Sequence, residues 1–396
     1  MAEAIFDPAE HEPLAGGAWD EALARAFVER IVREADAAHD EEQHWPLHPE
    51  DAYGGNTEPF RGVYCGNAGT MWALFRLAQT YGIALRNDYA SAIVQVEKQY
   101  RKRPLETGRV VPSYFLGTAG IMFAHYAITG KRSILDHLTW DVAVNATNPA
   151  REALWGASGT VLPLLLLRER DGAVYNDRIV RRVQKELWKT WEPDTLLWEQ
   201  TLYGVRARYV GAAHGAIGNL APLVRATDLL SPDRSDTLAE RVPALLAAYV
   251  LRDGDAANWW TAADPNIGNK LQWCHGAPGV IMGLARYPSH DERVEELLVA
   301  GGEAIWRAGP LRKGPTLCHG TAGNGFALLR LAQRTGDAGW SARAAQFAMH
   351  AIRQVAAWRE SFGMPAWSLW TGELGVAVFV DAVLRNDPAV LTLDAL

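Results

Sequence analysis

Apolar positions along the chain fall into two alternating kinds of segment. One kind is amphipathic. From Trp19 to Ala38, Leu23, Phe27 and Ile31 recur at every fourth position with charges between them, the spacing of one helix face. Similar segments occupy roughly 88–102, 133–145, 176–190, 233–252, 292–307 and 341–358. The other kind is apolar nearly all round, as in Thr70-Met71-Trp72-Ala73-Leu74-Phe75-Arg76-Leu77-Ala78 and Phe326-Ala327-Leu328-Leu329-Arg330-Leu331-Ala332. Helices of that composition are expected to be buried on most sides. Convincing strand alternation is absent.

Each apolar run follows a Gly-x-x-Gly element, at Gly66–Gly69, Gly117–Gly120, Gly156–Gly159, Gly215–Gly218, Gly276–Gly279, Gly320–Gly323 and Gly372–Gly375. With 36 glycines in 396 residues, about three such pairs would arise by chance, so the pairing with a helix carries the signal rather than the glycines. One partly exposed helix followed by one buried helix, seven times over, predicts an all-α fold. The expected architecture is an α/α toroid of seven inner and seven outer helices, closed on itself and so without capping repeats. The whole is expected to be a single domain. Residues 1–55 would carry an N-terminal segment and the first outer helix, packed on a toroid of residues 56–396. The glycines would supply positive φ and close backbone approach where a loop turns into an inner helix. All seven inner-helix N-termini would then share one rim, with unpaired N–H groups and a mild positive potential.

Composition narrows the function classes. Hydrophobic residues make up 48%, enough for a large core without staples. The net charge of −7 is spread over short stretches, with no basic run interleaved with aromatics, which argues against nucleic acid. The N-terminus, Met1-Ala2-Glu3-Ala4-Ile5-Phe6-Asp7-Pro8, lacks the basic and apolar regions of a secretory signal. The longest apolar run, Val161 to Leu167, is too short to span a bilayer. A cytoplasmic location is expected. Three cysteines, Cys65, Cys274 and Cys318, are too few for a disulfide framework.

Chemistry appears when the seven repeats are aligned on their first glycine. The residues just before it are Cys65, Leu116, Trp155, His214, His275, His319 and Thr371. One step earlier stand Tyr64, Phe115, Leu154, Ala213, Cys274, Cys318 and Trp370. In a toroid, equivalent positions of neighbouring repeats converge on one rim, so His214, Cys274, His275, Cys318 and His319 should meet. Cysteine and histidine gathered in a reducing compartment point to zinc. Two arrangements fit. Cys274, His275, Cys318 and His319 can all bind and close a structural site, or three can bind and leave a position open. Cys65 lacks a histidine neighbour and is read as a small core residue. Of the sixteen tryptophans, Trp155, Trp273 and Trp370 lie beside the motifs, where tryptophan either walls a peptide groove or supplies core mass.

Gln272-Trp273-Cys274-His275-Gly276-Ala277-Pro278-Gly279, Leu317-Cys318-His319-Gly320-Thr321-Ala322-Gly323-Asn324-Gly325 and Gly211-Ala212-Ala213-His214-Gly215 resemble motifs of the lanthionine synthetase C-like family. The resemblance runs in order from about Tyr64 to Asp381. It implies an α/α toroid with Zn2+ on its rim, held by Cys274, Cys318 and His319 with a fourth position open. It implies that His214 is catalytic and that His275 lies behind the metal ligands. Glu152 matches an acidic position that is Asp in many peptide cyclases, and Lys270 stands where those enzymes carry a catalytic Arg. With His275, these departures resemble the eukaryotic-type branch, whose members bind glutathione and add it to dehydroamino acids.

The reaction so implied joins a thiol, from glutathione or a peptide cysteine, to dehydroalanine or dehydrobutyrine in a peptide or protein, giving a thioether. The thiol must become a thiolate near neutral pH. The enolate formed by its attack must be stabilised and then protonated at carbon, a task suited to His214. Lys270 would place positive charge near the enolate oxygen, and Glu152 would orient a histidine or pair with Lys270. Two other readings of the same residues are a lanthipeptide cyclase, closing (methyl)lanthionine rings within one chain, and a non-catalytic zinc- or glutathione-binding scaffold.

Overall fold

The computed structural model describes residues 4–53, 55–171, 176–287 and 291–395. The seven outer helices are α1 (Glu21–Ala37), α3 (Tyr89–Lys102), α5 (Ile134–Asn145), α8 (Asp177–Thr190), α10 (Pro232–Tyr249), α12 (Glu292–Ala308) and α14 (Ala338–Phe362). Between them run the inner helices α2 (Asn67–Tyr81), α4 (Thr118–Thr129), α9 (Ala216–Arg225), α11 (Ala277–Leu284), α13 (Thr321–Thr335) and α15 (Glu373–Arg385). The third inner helix is broken at Val161 into α6 (Ala157–Thr160) and α7 (Leu162–Asp171). The last inner helix, α15, packs against α1 and α2 and closes the ring.

The two helix types differ as their sequences dictate. In α1, Asp20 caps the N-terminus by accepting from the Leu23 N–H at 3.0 Å, an interaction of about 1 kcal/mol. The buried stripe is Ala24, Phe27, Val28, Ile31, Val32 and Ala35. Leu23 lies one position off that stripe, about 100° round the helix, and is exposed. It is therefore not a core residue, unlike Phe27 and Ile31. In α13 the side chains from Thr321 to Leu331 are all buried.

Two antiparallel hairpins interrupt the helical pattern. They pair β1 (Gln200–Leu202) with β2 (Val205–Ala207), and β3 (Val250–Asp253) with β4 (Ala256–Trp259). Their strands are three or four residues long, too short for alternation to stand out in the sequence. The first turns at Tyr203 (φ +50°) and Gly204 (φ +79°), the two left-handed residues of a tight hairpin.

The rim differs from expectation in two ways. Its helix N-termini are not left unpaired. The loop entering each inner helix folds back so that its carbonyls receive the first helical N–H groups. Asn67 donates to Phe60, Ala216 to Tyr209 and Thr321 to Gly314, each at 3.0 Å. At Ala277 the acceptor is the Asn258 side chain of β4, at 2.8 Å. This tight return explains the glycines, which serve close approach more than positive φ. A Cβ on Gly323 would stand 2.0 Å from the Leu317 carbonyl oxygen. Of the seven leading glycines only Gly276 has positive φ, at +100°.

A ring of hydrogen bonds links the seven rim loops. Tyr64 donates to the Phe115 carbonyl at 2.9 Å, Ala213 to Cys274 and Cys274 to Cys318 at 3.3 Å each, and Cys318 to Trp370 and Trp370 to Tyr64 at 3.0 Å each. Between the second and third loops the Ser113 hydroxyl donates to the Leu154 carbonyl at 2.6 Å. Between the third and fourth, Ala153 donates to Ala213 at 2.9 Å. The participants are the residues two before each first glycine, save for Ser113 and where the chain shifts to Ala153. That shift occurs because the Leu154 N–H is taken by the Glu152 carboxylate at 3.0 Å.

Below the ring the lumen is filled. Trp273 and Trp370 lie with ring centroids 4.2 Å apart. At the far end Tyr114 donates to the Thr392 carbonyl at 2.8 Å, and Arg330 pairs with Asp394. Between Trp273 and Leu393 a cavity of about 60 Å3 remains. No helix among the described residues is long and apolar enough to cross a membrane.

Candidate functional site

Cys274, Cys318 and Trp370 are consecutive links of the rim ring, so the two cysteine backbones are fixed side by side. Their thiols lie within hydrogen-bonding reach of one another. Gln272 reaches over a tight turn and donates from Nε2 to Cys274 Sγ at 2.9 Å. Tyr64 donates its hydroxyl to Cys318. The hydrogen bond from Cys318, followed by the fields of His214 and Lys313 and the Gln272 contact, outweighs burial and holds the Cys274 thiol below its ordinary range. Burial and the neighbouring Cys274 push Cys318 up. The two sulfurs are thus pushed in opposite directions, Cys274 toward the thiolate and Cys318 away from it.

His319 follows Cys318 directly. Burial, helped by the Lys313 charge, lowers its pKa to about 4, so at neutral pH its imidazole is uncharged and able to bind a metal. His275 is lowered to about 3 by burial and by the charges of His214 and Lys270. Its Nδ1 is buried without a hydrogen-bond partner, and its ring stacks on His214 with centroids 5.7 Å apart.

As these side chains stand, no three His, Cys, Asp or Glu among the described residues converge closely enough to hold a metal ion. In chemical kind the donors fit zinc: two neighbouring thiols, one of them with its pKa lowered, and a neutral imidazole on the residue after the second.

Beside the sulfurs stands a second pair. Glu152 is wholly buried and His214 is 23% exposed, with His214 Nδ1 3.0 Å from Glu152 Oε2. The carboxylate also accepts the N–H groups of Leu154 and Trp155. Burial alone would lower the His214 pKa. The hydrogen bond and charge of Glu152, with Cys274 behind them, overcome that and raise it. Because Glu152 occupies Nδ1, Nε2 is the nitrogen free to carry a proton toward the sulfurs.

Lys270 sits apart from this pair. Its ammonium is bound to Glu10 of the N-terminal segment, which is strapped down by Asn258 donating to the Ile5 carbonyl at 2.7 Å and Asn269 to Ala4 at 2.9 Å. Glu152 thus pairs with His214 and not with Lys270. Cys65 is buried against Tyr53, its sulfur 3.5 Å from the phenol, away from the other cysteines in role, as its sequence context indicates.

Three residues belong to the site without having been singled out by sequence reasoning: Tyr64, Gln272 and Lys313. Tyr64 carried a signal, since it occupies in the first repeat the position of Cys274 and Cys318 in the fifth and sixth. Lys313, whose charge acts on both thiols and on His319, lies in the loop before α13, where no other repeat has a lysine at the equivalent position.

Residues 60–394 match the sequence model of the family described as lanthionine synthetase C-like protein. Among curated proteins, the chain is 33% identical over 153 residues to a Danio rerio protein named glutathione S-transferase LANCL1, covering 35% of this chain and 34% of that one. It is 30% identical over 153 residues to an Arabidopsis thaliana protein named LanC-like protein GCL1, covering 37% and 34%. The matched stretch thus spans about a third of each relative's length. Among solved structures a nisin cyclase superposes with a TM-score of 0.62 at 16% identity, over 93% of this chain and 99% of the other. At that identity the likeness establishes a shared fold.

Proposed function

Because the chain belongs to the lanthionine synthetase C-like family, we propose that it adds a thiol, from glutathione or a peptide cysteine, to dehydroalanine or dehydrobutyrine residues and so forms a thioether. The observation that carries this reading is the meeting of two unlike pairs on one rim. The Cys274–Cys318 pair suits thiolate chemistry, and the Glu152–His214 pair suits delivery of a proton. The name of the Danio rerio relative supports glutathione as the thiol.

Cys274, Cys318 and His319 would hold the zinc ion, which when bound favours the thiolate form of a substrate thiol at neutral pH. The thiolate sulfur attacks the β-carbon of the dehydroamino acid. The double-bond electrons move toward the carbonyl and give an enolate. His214, charged through its contact with Glu152, gives its Nε2 proton to the α-carbon. The proton lost by the thiol restores the imidazolium, so the net change is addition of S–H across C=C. Neutral His275, stacked on His214, fills the space behind it without competing for the proton. Lys270, engaged by Glu10, would act on the enolate only after exchanging that partner. The thiols of all three cysteines are free, in keeping with a reducing cytoplasm.

The test is to incubate the protein with glutathione and a dehydroalanine peptide and to follow the peptide mass. A glutathione adduct formed faster than with metal-stripped protein supports the proposal. The same rate in both would remove it, and ring closure within a cysteine-bearing peptide without glutathione transfer would replace it with the cyclase reading.

A further inference from the structure

A trough of about 540 Å3 is lined in part by Trp155, whose N–H donates to Glu152, and is within the size range of ligand sites. Three separate stretches wall it: the loop around Val110, the end of α5 at Val144, and the β1–β2 hairpin with Tyr203 at its tip. Trp155 forms the side toward the catalytic pair.

The trough is tied to that pair through one residue. The Trp155 N–H donates to Glu152. Its carbonyl accepts from Asn145 at 2.8 Å and Asn148 at 3.1 Å, and its indole N–H donates to the Tyr203 hydroxyl at 3.1 Å. The Tyr203 phenol also feels the Glu152 charge. The wall and the carboxylate that orients His214 are therefore one rigid unit.

The lining is mixed: Val110, Val111, Pro112, Val144 and Pro149 give it apolar surface, while Thr147, Thr201 and the Tyr203 hydroxyl are polar. The amide nitrogens of both asparagines are spent on Trp155 and on each other's neighbourhood. Arg109 is the charged residue lining it, and no carboxylate does. Meanwhile Val110, Val144 and Tyr203 are 44%, 52% and 76% exposed. Trp140, one turn before Val144, and Val205, two residues after Tyr203, are exposed as well. Five of the eight exposed large hydrophobic side chains among the described residues thus lie on these stretches, a concentration that marks a binding surface.

We propose that this trough is the subsite for the uncharged, apolar residues flanking the dehydroamino acid of an extended acceptor peptide. The proposal rests on the thiol-addition reading, since that reading makes a peptide the ligand whose reacting residue sits at His214. The exposed Val110, Val144 and Tyr203 suit apolar flanks, and the lack of acidic lining disfavours cationic ones. Small acceptors lacking flanks would react without using it.

The experiment is a fluorescence-anisotropy titration of the full protein with a labelled, unreactive peptide. Alanine replaces dehydroalanine, with leucine and valine on both sides, and a serine-flanked peptide serves as comparator. We expect the apolar peptide to bind at least tenfold tighter, and Val144→Asp to weaken it at least tenfold. Val144 is exposed at the end of an outer helix, so the substitution leaves packing alone. Val110→Asp, on a different segment, repeats the test should the first variant misfold. Equal binding of the two peptides, or unchanged binding by both variants, overturns the proposal. Self-association abolished by Val144→Asp, without peptide binding, overturns it in favour of a second copy of this chain. Absence of glutathione transfer while the unreactive peptide still binds would sink the reaction and leave the trough standing. Transfer that ignores the flanks would do the reverse.

Discussion

Glu152 Oε2 accepts from His214 Nδ1 at 3.0 Å, while the Trp155 N–H holds the other carboxylate oxygen. The carboxylate is thus locked, and the imidazole is the partner free to gain or lose a proton. The His214 pKa lies above 6.5 because Glu152 overcomes burial. A group acting as acid works below its pKa, so the rate should fall as pH rises through that raised value. In Glu152→Gln the raising causes vanish and burial dominates. The alkaline limb of the kcat profile should move to lower pH. An unmoved limb would place the acid elsewhere.

His214→Ala removes the proton carrier and leaves Cys274, Cys318 and His319 in place. We expect kcat for glutathione addition to fall by roughly 10²–10⁴ with unchanged zinc stoichiometry. Elemental analysis beside steady-state kinetics separates this from a loss of metal, which would lower both together.

Cys318→Ala should take zinc below a tenth of an equivalent, because it removes one of two sulfurs and the acceptor of Tyr64. Chelation of the wild type should lower its thermal midpoint. Metal at a thousandfold above Kd stabilises the folded state by about 4 kcal/mol. A variant that keeps stoichiometric zinc would refute the ligand assignment.

Asp51 is buried against Ser368 and Thr371, and burial raises its pKa to about 7. Here the folded state holds the proton more tightly than the unfolded chain. The resulting stability is complete below about pH 4 and is lost as pH climbs toward 7 and beyond. Across that window the wild type should lose on the order of 2–4 kcal/mol that Asp51→Asn does not lose. Urea unfolding of both proteins at pH 4.5 and pH 8 would show it, and parallel curves would exclude it.

Gly276 and Gly363 both have positive φ, at +100° and +66°, but only the first is crowded. A Cβ on Gly276 would stand 1.9 Å from the Lys270 carbonyl oxygen, whereas nothing lies within 4 Å of one on Gly363. Alanine at Gly363 should cost about 1–2 kcal/mol. At Gly276 it should cost more than that and displace Cys274 as well. Calorimetry and zinc content together test the contrast.

Much of this was legible because the toroid repeats. Aligning seven loops on their first glycine picked out Tyr64, Phe115, Leu154, Ala213, Cys274, Cys318 and Trp370 as equivalents, and these residues form or adjoin the hydrogen-bonded ring. The outer helices followed from apolar spacing, because each buries a single stripe. What periodicity could not carry was pairing between distant, non-equivalent positions. Glu10 meeting Lys270 is one instance, and Asn258 capping Ala277 in place of a loop carbonyl is another. The hairpin at Tyr203–Gly204 escaped because its strands are three residues long. Rim amides expected to be free are satisfied where a loop doubles back on its own helix, as at Asn67, Ala216 and Thr321.

The rim ring has a seam. Trp370 of the last repeat joins Tyr64 of the first, and Cys318 is anchored on Trp370 while Tyr64 donates to its sulfur. A growing chain therefore presents both cysteines, with Tyr64 already made, before Trp370 exists. Contacts between such remote parts of a sequence form slowly. Until the seventh loop emerges, the ring is an open arc with an unclosed lumen and an exposed thiol pair. Completion of the sulfur site thus waits for the seventh repeat, so a chain stalled short of Trp370 would carry both cysteines and lack the frame that sets them.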